Sequence, residues 1–361
     1  MAKFCQFLVF ACLLLVAKAV PACVICAPSG EQPTLLARLQ AAQGVVLALP
    51  QPDGKSVQAQ LAIKGKLPSG PLPMGPWVDE LNIHKPLAPD DLMLMILQEG
   101  SAHWWVLGYL PAARADWLRW VTGQSRLAPG EAGTPQRNNR FAQGLEDAYP
   151  LVAHSAYDEI ASLPFSALRL LARELDPVRV RRWAQNEQLR ARFPLYYLLL
   201  GFVGKESDAQ LLADRALERD SNRSMPELSA MLAALISIRG EAALGWIEQY
   251  FLLEPSLSEP RVQAALMALS VHANEAGTLS KERVVTSYAR YIERNPHRCG
   301  FVASDLGNWE RWEFAAAFAK ALRAGKDQVF SSRYSVVFYL IRNPRPEAKA
   351  LLETLKVEKL L

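Results

Sequence analysis

At positions 198–204 the chain reads Leu-Leu-Leu-Gly-Phe-Val-Gly, and at positions 234–240 it reads Ala-Leu-Ile-Ser-Ile-Arg-Gly. In both places an apolar run ends at a glycine, Gly204 or Gly240, and a segment with apolar residues at helical spacing follows. The two glycines are 36 residues apart (240 − 204 = 36). The sequence therefore predicts a repeated unit of an apolar helix, a glycine at its end and a second amphipathic helix.

The helical pattern extends through residues 140–361. Apolar residues recur every three or four positions in three stretches: Leu228, Leu232, Leu235 and Ile236; Val262, Leu266 and Leu269; and Val284, Tyr288 and Tyr291. That spacing places each set on one face of a helix. The pattern resembles HEAT-type repeats, and this resemblance implies a solenoid-like α-helical domain with an extended binding surface.

A different pattern precedes the helices, within residues 23–122. The apolar spacing from Thr34 to Gln43 predicts a short helix, and compact or alternating apolar runs follow at 45–50, 57–63, 92–97 and 104–110. Such runs are typical of β-strands. Pro52-Asp53-Gly54 is typical of a turn. Four or five short strands in this length predict a small β-barrel or a sandwich.

Residues 123–139, between these two parts, are polar and contain several glycines and prolines. That composition is typical of a domain boundary. We therefore predict an α+β multidomain chain with a leader over 1–22, a small β-barrel domain over 23–122, a linker over 123–139 and an α-helical repeat-like domain over 140–361.

The leader has the three parts of a secretory signal peptide: a short basic start, an apolar run from Phe4 to Ala17, and small residues. The apolar run is shorter than the roughly 20 residues of a membrane span. Cleavage after Ala22 leaves Cys23 as the first mature residue, and cleavage three residues earlier is the alternative. We expect a periplasmic or secreted protein, with a lipid anchor on Cys23 as a further alternative.

The charge of the chain is close to balanced. It has 40 basic and 36 acidic residues, and removal of the leader with Lys3 and Lys18 leaves 38 against 36, a net of +2. Nucleic-acid binders normally carry a clear basic excess, so this class is disfavoured. No apolar stretch after the leader is long enough for a membrane span; the run Leu195–Val203 indicates a buried helix.

Three cysteines follow the leader: Cys23, Cys26 and Cys299. In an oxidising compartment we expect Cys23 and Cys26 to form a structural disulfide, with each other or with another partner. The same pair also permits thiol–disulfide exchange or a share in a metal site. Cys299 is expected to be a small buried side chain.

The start of the mature chain resembles a netrin-like module, the OB-type barrel of tissue inhibitors of metalloproteinases. The resemblance rests on the cysteines of 23–26, the short helix of 35–39, the Val-Val-Leu-Ala strand of 45–48 and the Lys-Gly that closes the second strand at 64–65. It implies an OB-type fold for the barrel.

Nearly all of the mature chain resembles an uncharacterised family of exported bacterial proteins. The shared pieces are the Cys-x-x-Cys after the leader, the strand at 45–48, Ala-Tyr-Asp-Glu at 156–159 and Asp-Leu-Gly-Asn-Trp-Glu-Arg-Trp at 305–312. This resemblance implies the same architecture and supplies no activity.

Two groups of residues are candidates for contact with a partner. Arg179, Arg181 and Arg182 lie in a basic stretch and suit an acidic partner, although a solvated face is the simpler interpretation. Trp309 and Trp312 are three residues apart, so we expect them to share a helix face. Packing inside the helical domain is the simpler interpretation for this pair, and an anchor for a partner is the alternative.

No nucleophile elbow, phosphate loop, dinucleotide fingerprint or His-Glu-x-x-His motif occurs in the sequence, so no cofactor is predicted. His154 and Asp158 have the spacing of an i, i+4 pair, which is usually a solvated contact. The leading hypothesis is an exported non-enzymatic scaffold that binds a protein partner through its helical-repeat surface. The alternative is a thiol–disulfide or metal-handling protein that acts through Cys23 and Cys26.

Overall fold

The computed structural model describes residues 25–26, 33–78, 84–218, 223–274, 277–324 and 329–360. Within these ranges, residues 33–167 form one compact unit, and residues 168–360 form a second unit that also includes Ile25 and Cys26. The first unit contains a five-stranded sheet and helices, and the second unit is built from helices. The chain is therefore α+β, as the sequence predicts.

The sheet of the first unit is antiparallel and is curled into a half-barrel. Its strands, in the spatial order β3-β2-β1-β4-β5, are β1 (Ala42–Pro50), β2 (Ser56–Lys64), β3 (Leu72–Pro73), β4 (Asp91–Gln98) and β5 (Trp104–Pro111). The four long strands contain the four apolar runs that predicted them. The predicted strands are thus confirmed, and they form a curled half-barrel sheet.

The predicted turn between β1 and β2 is present. The Asp53 carboxylate accepts hydrogen bonds from the backbone N–H groups of Lys55 and Ser56 at 2.9 and 3.0 Å. Gly54 follows with a φ of 62°. An L side chain rarely adopts this φ, which explains the glycine at the turn. These hydrogen bonds also lower the pKa of Asp53, because they stabilise its ionised form.

The segment that follows β3 forms hydrogen bonds with β5, the strand at the opposite edge of the sheet. Trp77 forms a parallel bridge with Val106 of β5. The N–H of Val78 donates to the carbonyl of Val106 at 2.8 Å, and the N–H of Val106 donates to the carbonyl of Pro76 at 2.9 Å. Gly75 lies between the two edges, where a Cβ would come within 1.4 Å of the Trp104 carbonyl oxygen. Glycine is therefore required at this close approach.

One face of the sheet encloses an apolar core. Its buried members are Val46, Ala48, Val57, Ala59, Met93, Met95, Trp104 and Val106. Helices α1 (Leu35–Ala41) and α2 (Ala115–Thr122) contribute a further buried set, Leu35, Leu36, Leu39, Leu118 and Val121. The sheet is therefore stabilised by apolar burial in the ordinary way.

The first unit continues beyond the strands into α3 (Pro135–Ala142) and α4 (Pro150–Ala161), which pack against each other. The buried guanidinium of Arg137 on α3 forms an ion pair with the buried carboxylate of Glu159 on α4. The predicted linker, residues 123–139, lies inside this unit: its first part is loop, and its last residues belong to α3.

The remaining helices begin with α5, which contains the boundary between the two units. They are α5 (Phe165–Ala172), α6 (Pro177–Gln185), α7 (Phe193–Val203), α8 (Glu206–Leu217), α9 (Met225–Arg239), α10 (Glu241–Ile247), α11 (Glu259–Asn274), α12 (Lys281–Arg294), α13 (Ala303–Asn308), α14 (Ala315–Ala324), α15 (Phe330–Arg342) and α16 (Pro346–Val357). The apolar stripes predicted on α9, α11 and α12 are all buried.

The two similar segments at 198–204 and 234–240 form the ends of α7 and α9 in the second unit. Helices α7 and α9 end at Gly204 and Gly240, as predicted, and α9 packs against α7 on one side and α11 on the other. The two helices approach closely at Gly201, where a Cβ would lie 2.5 Å from the Ala234 Cα. A small residue on each helix therefore sets their separation.

Ion pairs connect helices of the second unit that are not adjacent in sequence. Arg323 of α14 pairs with Glu358 at 2.8 Å. Glu248 begins a single π-helical turn after α10. Its carboxylate is buried and lies 3.1 Å from both Arg283 and Arg290 of α12. The hydroxyl of the buried Ser287 donates to the same carboxylate at 2.5 Å. Glu248 therefore has a partner for each of its oxygens.

His272 of α11 is fully buried between polar backbone groups. Its Nδ1 accepts from the N–H of Thr278 at 3.2 Å, so its Nε2 carries the proton and donates to the carbonyl of Ala233 at 2.8 Å. Burial lowers the pKa of His272 to about 4. The side chain is therefore neutral at physiological pH.

None of the helices in the described ranges combines the length and the apolar character that crossing a membrane requires.

Candidate functional site

The most unusual surface among the described residues lies on α15, whose sequence is Phe-Ser-Ser-Arg-Tyr-Ser-Val-Val-Phe-Tyr-Leu-Ile-Arg. One side of this helix is buried and consists of Ser332, Val336, Tyr339 and Leu340. The Tyr339 hydroxyl donates to the carbonyl of Arg311 at 2.5 Å and accepts from the N–H of Phe314 at 3.3 Å. These contacts fix which side of α15 faces inward.

The outward side of α15 is also apolar. Phe330, Tyr334, Phe338 and Ile341 are 71%, 54%, 54% and 59% exposed, and their spacing of four, four and three residues places them along one helix face. We call these four side chains the aromatic stripe. Successive rings are in contact, with centroids 5.7 Å apart for Phe330 and Tyr334 and 5.2 Å apart for Tyr334 and Phe338.

The aromatic stripe has the size of a typical functional apolar patch. Since an aromatic side chain offers about 150–250 Å² of surface, the stripe exposes roughly 400–500 Å². This area is in the range of the largest apolar patch of a folded monomer, about 300–600 Å², and such a patch often is a binding site. Scattered single apolar residues, such as Leu170 and Val178 elsewhere in the second unit, need no such explanation.

Basic residues border the aromatic stripe. At 100° per residue, Arg333 lies about 60° to one side of Phe330, and Arg342 lies about 40° beyond Phe338 on the other side. The helix has no acidic residue. The Nη1 group of Arg342 donates to the Asn308 side chain at 3.0 Å, a neutral partner that leaves its charge uncompensated.

The three arginines that the sequence singled out have different environments in the structure. Arg181 binds Asp208 of α8 through two hydrogen bonds of 2.6 and 2.7 Å, and this contact holds the pKa of the buried Asp208 below its usual range. Arg179 and Arg182 are exposed on α6, and the Arg179 guanidinium lies 4.8 Å from the Trp183 ring centre. Arg181 therefore connects α6 to α8, and the other two remain on the surface.

The predicted tryptophan pair does not share a helix face. Helix α13 ends at Asn308, Glu310 has a φ of 59°, and Trp312 begins a separate 3-10 turn. The expectation of a common face is wrong because the helix ends before Trp309 and a turn at 309–310 separates the two residues. The sequence signal for this end is the Gly-Asn at 307–308, since both residue types are common at helix ends.

Both tryptophans pack inside the second unit. Trp309 is buried, stacks on Tyr288 with ring centroids 5.6 Å apart, and donates its indole N–H to Asn274 at 2.5 Å. Trp312 is half-buried and contacts the Tyr339 ring at 5.3 Å. Their aromatic surface is thus used largely in packing.

The two cysteines in the described ranges, Cys26 and Cys299, are both buried. Cys26 is buried, and Cys23 lies outside the described residues, so their predicted pairing stays a prediction. Cys299 is a free thiol with no exposed surface, and burial raises its pKa to about 12. A thiol with that pKa is protonated and unreactive at physiological pH.

The described residues contain no group of three or more His, Cys, Asp or Glu side chains arranged to hold a metal ion. His154 and Asp158 form the predicted i, i+4 contact on α4, with 3.4 Å between Nε2 and Oδ2. The His154 side chain is 43% exposed, whereas Asp158 is buried, so only one member of the pair is solvated.

Sequence reasoning missed the aromatic stripe. The signal in the sequence is a helix with apolar residues on two faces. Val336 and Leu340 lie on one face, and Phe330, Tyr334 and Phe338 lie on the other. A helix with two apolar faces either is fully buried or exposes one of them.

Comparisons of this chain with known protein families, curated proteins and solved structures find no match.

Proposed function

We propose that this protein is an exported, non-enzymatic scaffold that binds a helix of a protein partner on the aromatic stripe. The observation that carries the proposal is the exposure of four apolar side chains in one line on α15. A line of side chains at helical spacing is complementary to a second helix, whose own apolar ridge packs into the grooves between them. Recognition of a partner helix by an apolar helix face is a common mode of binding.

The rest of the second unit supports this role as a platform. Its helices are joined by Arg–carboxylate pairs and by the close packing of α7 on α9. We propose that this array is HEAT-like and that the half-barrel is an OB-type, netrin-like module. The resemblance of the sequence to HEAT-type repeats and to netrin-like modules supports this proposal. A rigid helical array lowers the cost of binding, because the stripe is ordered before the partner arrives.

A direct test uses a synthetic amphipathic helical peptide of about 20 residues, with leucines on one face and glutamines on the other. Its affinity for the intact protein is measured by fluorescence anisotropy. The double variant Tyr334→Ser/Phe338→Ser should bind at least about ten times more weakly, since loss of two aromatic anchors typically costs more than that.

The matched control is Leu170→Ser/Val178→Ser, which also removes two exposed apolar side chains from the second unit. It should bind the peptide as the unaltered protein does. Equal binding by the stripe variant and the unaltered protein would contradict the proposed function. Circular dichroism and thermal melting of both variants establish that the comparison is between folded proteins.

Export is part of the proposal and is supported by the leader sequence of residues 1–22. Mass spectrometry of protein recovered from outside the cytoplasm should show an N-terminus at Cys23, or at Val20 for the earlier cleavage site. An acyl group on Cys23 would identify a lipoprotein. An intact Met1 on such protein would contradict export through this leader.

A further inference from the structure

We propose that the partner segment is an amphipathic helix whose polar face is acidic. This inference rests on the proposed function and names the chemistry of the occupant of the aromatic stripe. It is carried by the two arginines that border the stripe, on a helix that has no acidic residue.

The sequence around α15 is basic. Residues 315–346 contain six basic residues and one acidic residue, a net charge of +5 (6 − 1 = 5). The basic residues are Lys320, Arg323, Lys326, Arg333, Arg342 and Arg345, and the acidic residue is Asp327. This excess is larger than the net +2 of the whole chain after the leader, so the rest of that chain carries a net −3 (2 − 5 = −3). The basic charge is therefore concentrated in the part of the sequence that contains α15.

The two arginines that border the stripe differ from most arginines that join the helices. Arg181, Arg283 and Arg323 each pair with a carboxylate at 2.6–3.1 Å. In the described part of the chain, Arg333 and Arg342 have no carboxylate within ion-pair distance. A helix lying along the stripe would place the two edges of its polar face beside these two guanidinium groups. Acidic residues at those edges would complete the ion pairs.

A second copy of this chain is a poorer occupant. Contact of α15 with α15 would bring two basic borders together, and like charges across an interface oppose association.

An anionic membrane surface is also a poorer occupant. Helix α16 packs beside α15 and exposes Glu347, Lys349, Glu353 and Lys356, which together carry no net charge; Glu353 pairs with Lys356 at 2.7 Å. A lipid surface is wide, so it would lie over these balanced charges as well as the stripe, and α16 would add no attraction to its negative charge. A single helix about 10 Å wide contacts α15 alone.

The test extends the leucine–glutamine peptide to a matched set of three, with the polar face made of glutamate, glutamine or lysine. At low ionic strength the glutamate peptide should bind the intact protein about ten times more tightly than the glutamine peptide, since each of two exposed ion pairs contributes up to about fivefold. The lysine peptide should bind most weakly. The preference should shrink as the salt concentration rises to about 0.5 M.

The variant Arg333→Gln/Arg342→Gln should lose the preference for glutamate and keep its affinity for the glutamine peptide. The control Arg173→Gln/Arg182→Gln changes the net charge equally at two exposed arginines away from α15, and it should keep the preference. The glutamate and glutamine peptides could both bind on the stripe with equal affinity. That result would overturn the inference that the partner is acidic and would leave the proposed function intact. Binding that does not depend on the stripe would overturn the proposed function itself.

Two further measurements address the other occupants. Vesicles of phosphatidylglycerol and phosphatidylcholine in a ratio of about 1:3 should not bind in a stripe-dependent way. In sedimentation equilibrium, the unaltered protein should form no dimer that is lost in the variant Tyr334→Ser/Phe338→Ser. Stripe-dependent vesicle binding, or a stripe-dependent dimer, would overturn the inference in favour of a membrane or of a second copy.

Discussion

The rings of Tyr334 and Phe338 meet edge to face one helical turn apart on α15, with centroids 5.2 Å apart and planes inclined at 60°. Slightly more than half of each side chain is exposed. Edge-to-face contact is a favoured arrangement of aromatic rings and restricts the rotation of both. The two side chains at the centre of the stripe are therefore ordered by each other, although neither is buried.

Removal of these two rings should leave the protein as stable as before. Because both are exposed, the free energy of unfolding of Tyr334→Ser/Phe338→Ser should change by no more than about 1 kcal/mol, including loss of the ring contact. The variant should also bind less of an apolar dye such as anilinonaphthalene sulfonate. Urea unfolding and dye fluorescence measure these effects. A loss of several kcal/mol would show that the stripe supports the fold.

Gly201→Ala should destabilise the second unit. Its Cβ would lie 2.5 Å from the Ala234 Cα and 2.8 Å from the Ala234 Cβ, so α7 and α9 would have to separate. Overpacking of this kind costs about 1–3 kcal/mol. Gly245→Ala is the matched control, because its Cβ would meet nothing within 4 Å inside α10. That change should stabilise the protein by about 0.5–1 kcal/mol through helix propensity. Equal effects in urea unfolding would contradict the packing of α7 on α9.

Glu248→Ala should cost about 2–3 kcal/mol of unfolding free energy. The buried carboxylate accepts from Ser287 and pairs with Arg283 and Arg290, and its removal leaves these donors without their charged partner. Arg290→Ala should cost at most about 1 kcal/mol, because the Arg290 side chain is 55% exposed and its ion pair is screened by water. A larger loss for Arg290 than for Glu248 would refute this ordering.

His272 should make stability depend on pH. In the unfolded chain a histidine takes up a proton below about pH 6.5, while burial holds the pKa of folded His272 at about 4. Stability is therefore full above pH 6.5 and falls as the pH drops toward 4, by about 3 kcal/mol in total. His272→Gln, which keeps a donor for the Ala233 carbonyl, should remove this contribution.

Another buried group acts in the opposite direction over the acidic range. Burial raises the pKa of Asp305, so protonation of its carboxyl favours the folded state as the pH falls. The His272→Gln comparison isolates the histidine, because Asp305 is common to both proteins. Identical pH profiles of unfolding free energy for the two proteins would show that His272 is not buried in a neutral form.

The sequence predicts well those elements whose pattern is set locally. The strands around Val46 and Leu94 and the buried stripe of α9 follow from apolar spacing, because each element buries residues in a regular period. The turn at Asp53-Gly54 was equally accessible, since its residue types suit only a few backbone conformations.

The link between the two edges of the sheet could not be predicted in this way. Pro73 and Pro76 argue against a strand, since proline has no N–H to donate. The segment nevertheless pairs with β5, because the N–H donors belong to Val78 and Val106. Pro76 contributes only its carbonyl, which accepts a hydrogen bond. Which distant strand meets this segment depends on the curl of the whole sheet.

The aromatic stripe escaped prediction for a related reason. The spacing of Phe330, Tyr334 and Phe338 and that of Val336 and Leu340 both indicate a buried helix face. Only the packing of Val336 and Leu340 against neighbouring helices shows which face remains outside. Exposure of an apolar face depends on tertiary packing, which periodicity alone does not contain.

Photo-crosslinking locates the bound helix most directly. In the intact protein, benzoylphenylalanine replaces either Phe338 of the stripe or the comparably exposed Val178 of α6, and each protein is irradiated with the leucine–glutamine peptide. Binding on the stripe predicts a covalent adduct from position 338 and little or none from position 178. No adduct from position 338, or equal adducts from both positions, would contradict the assignment of α15 as the docking surface.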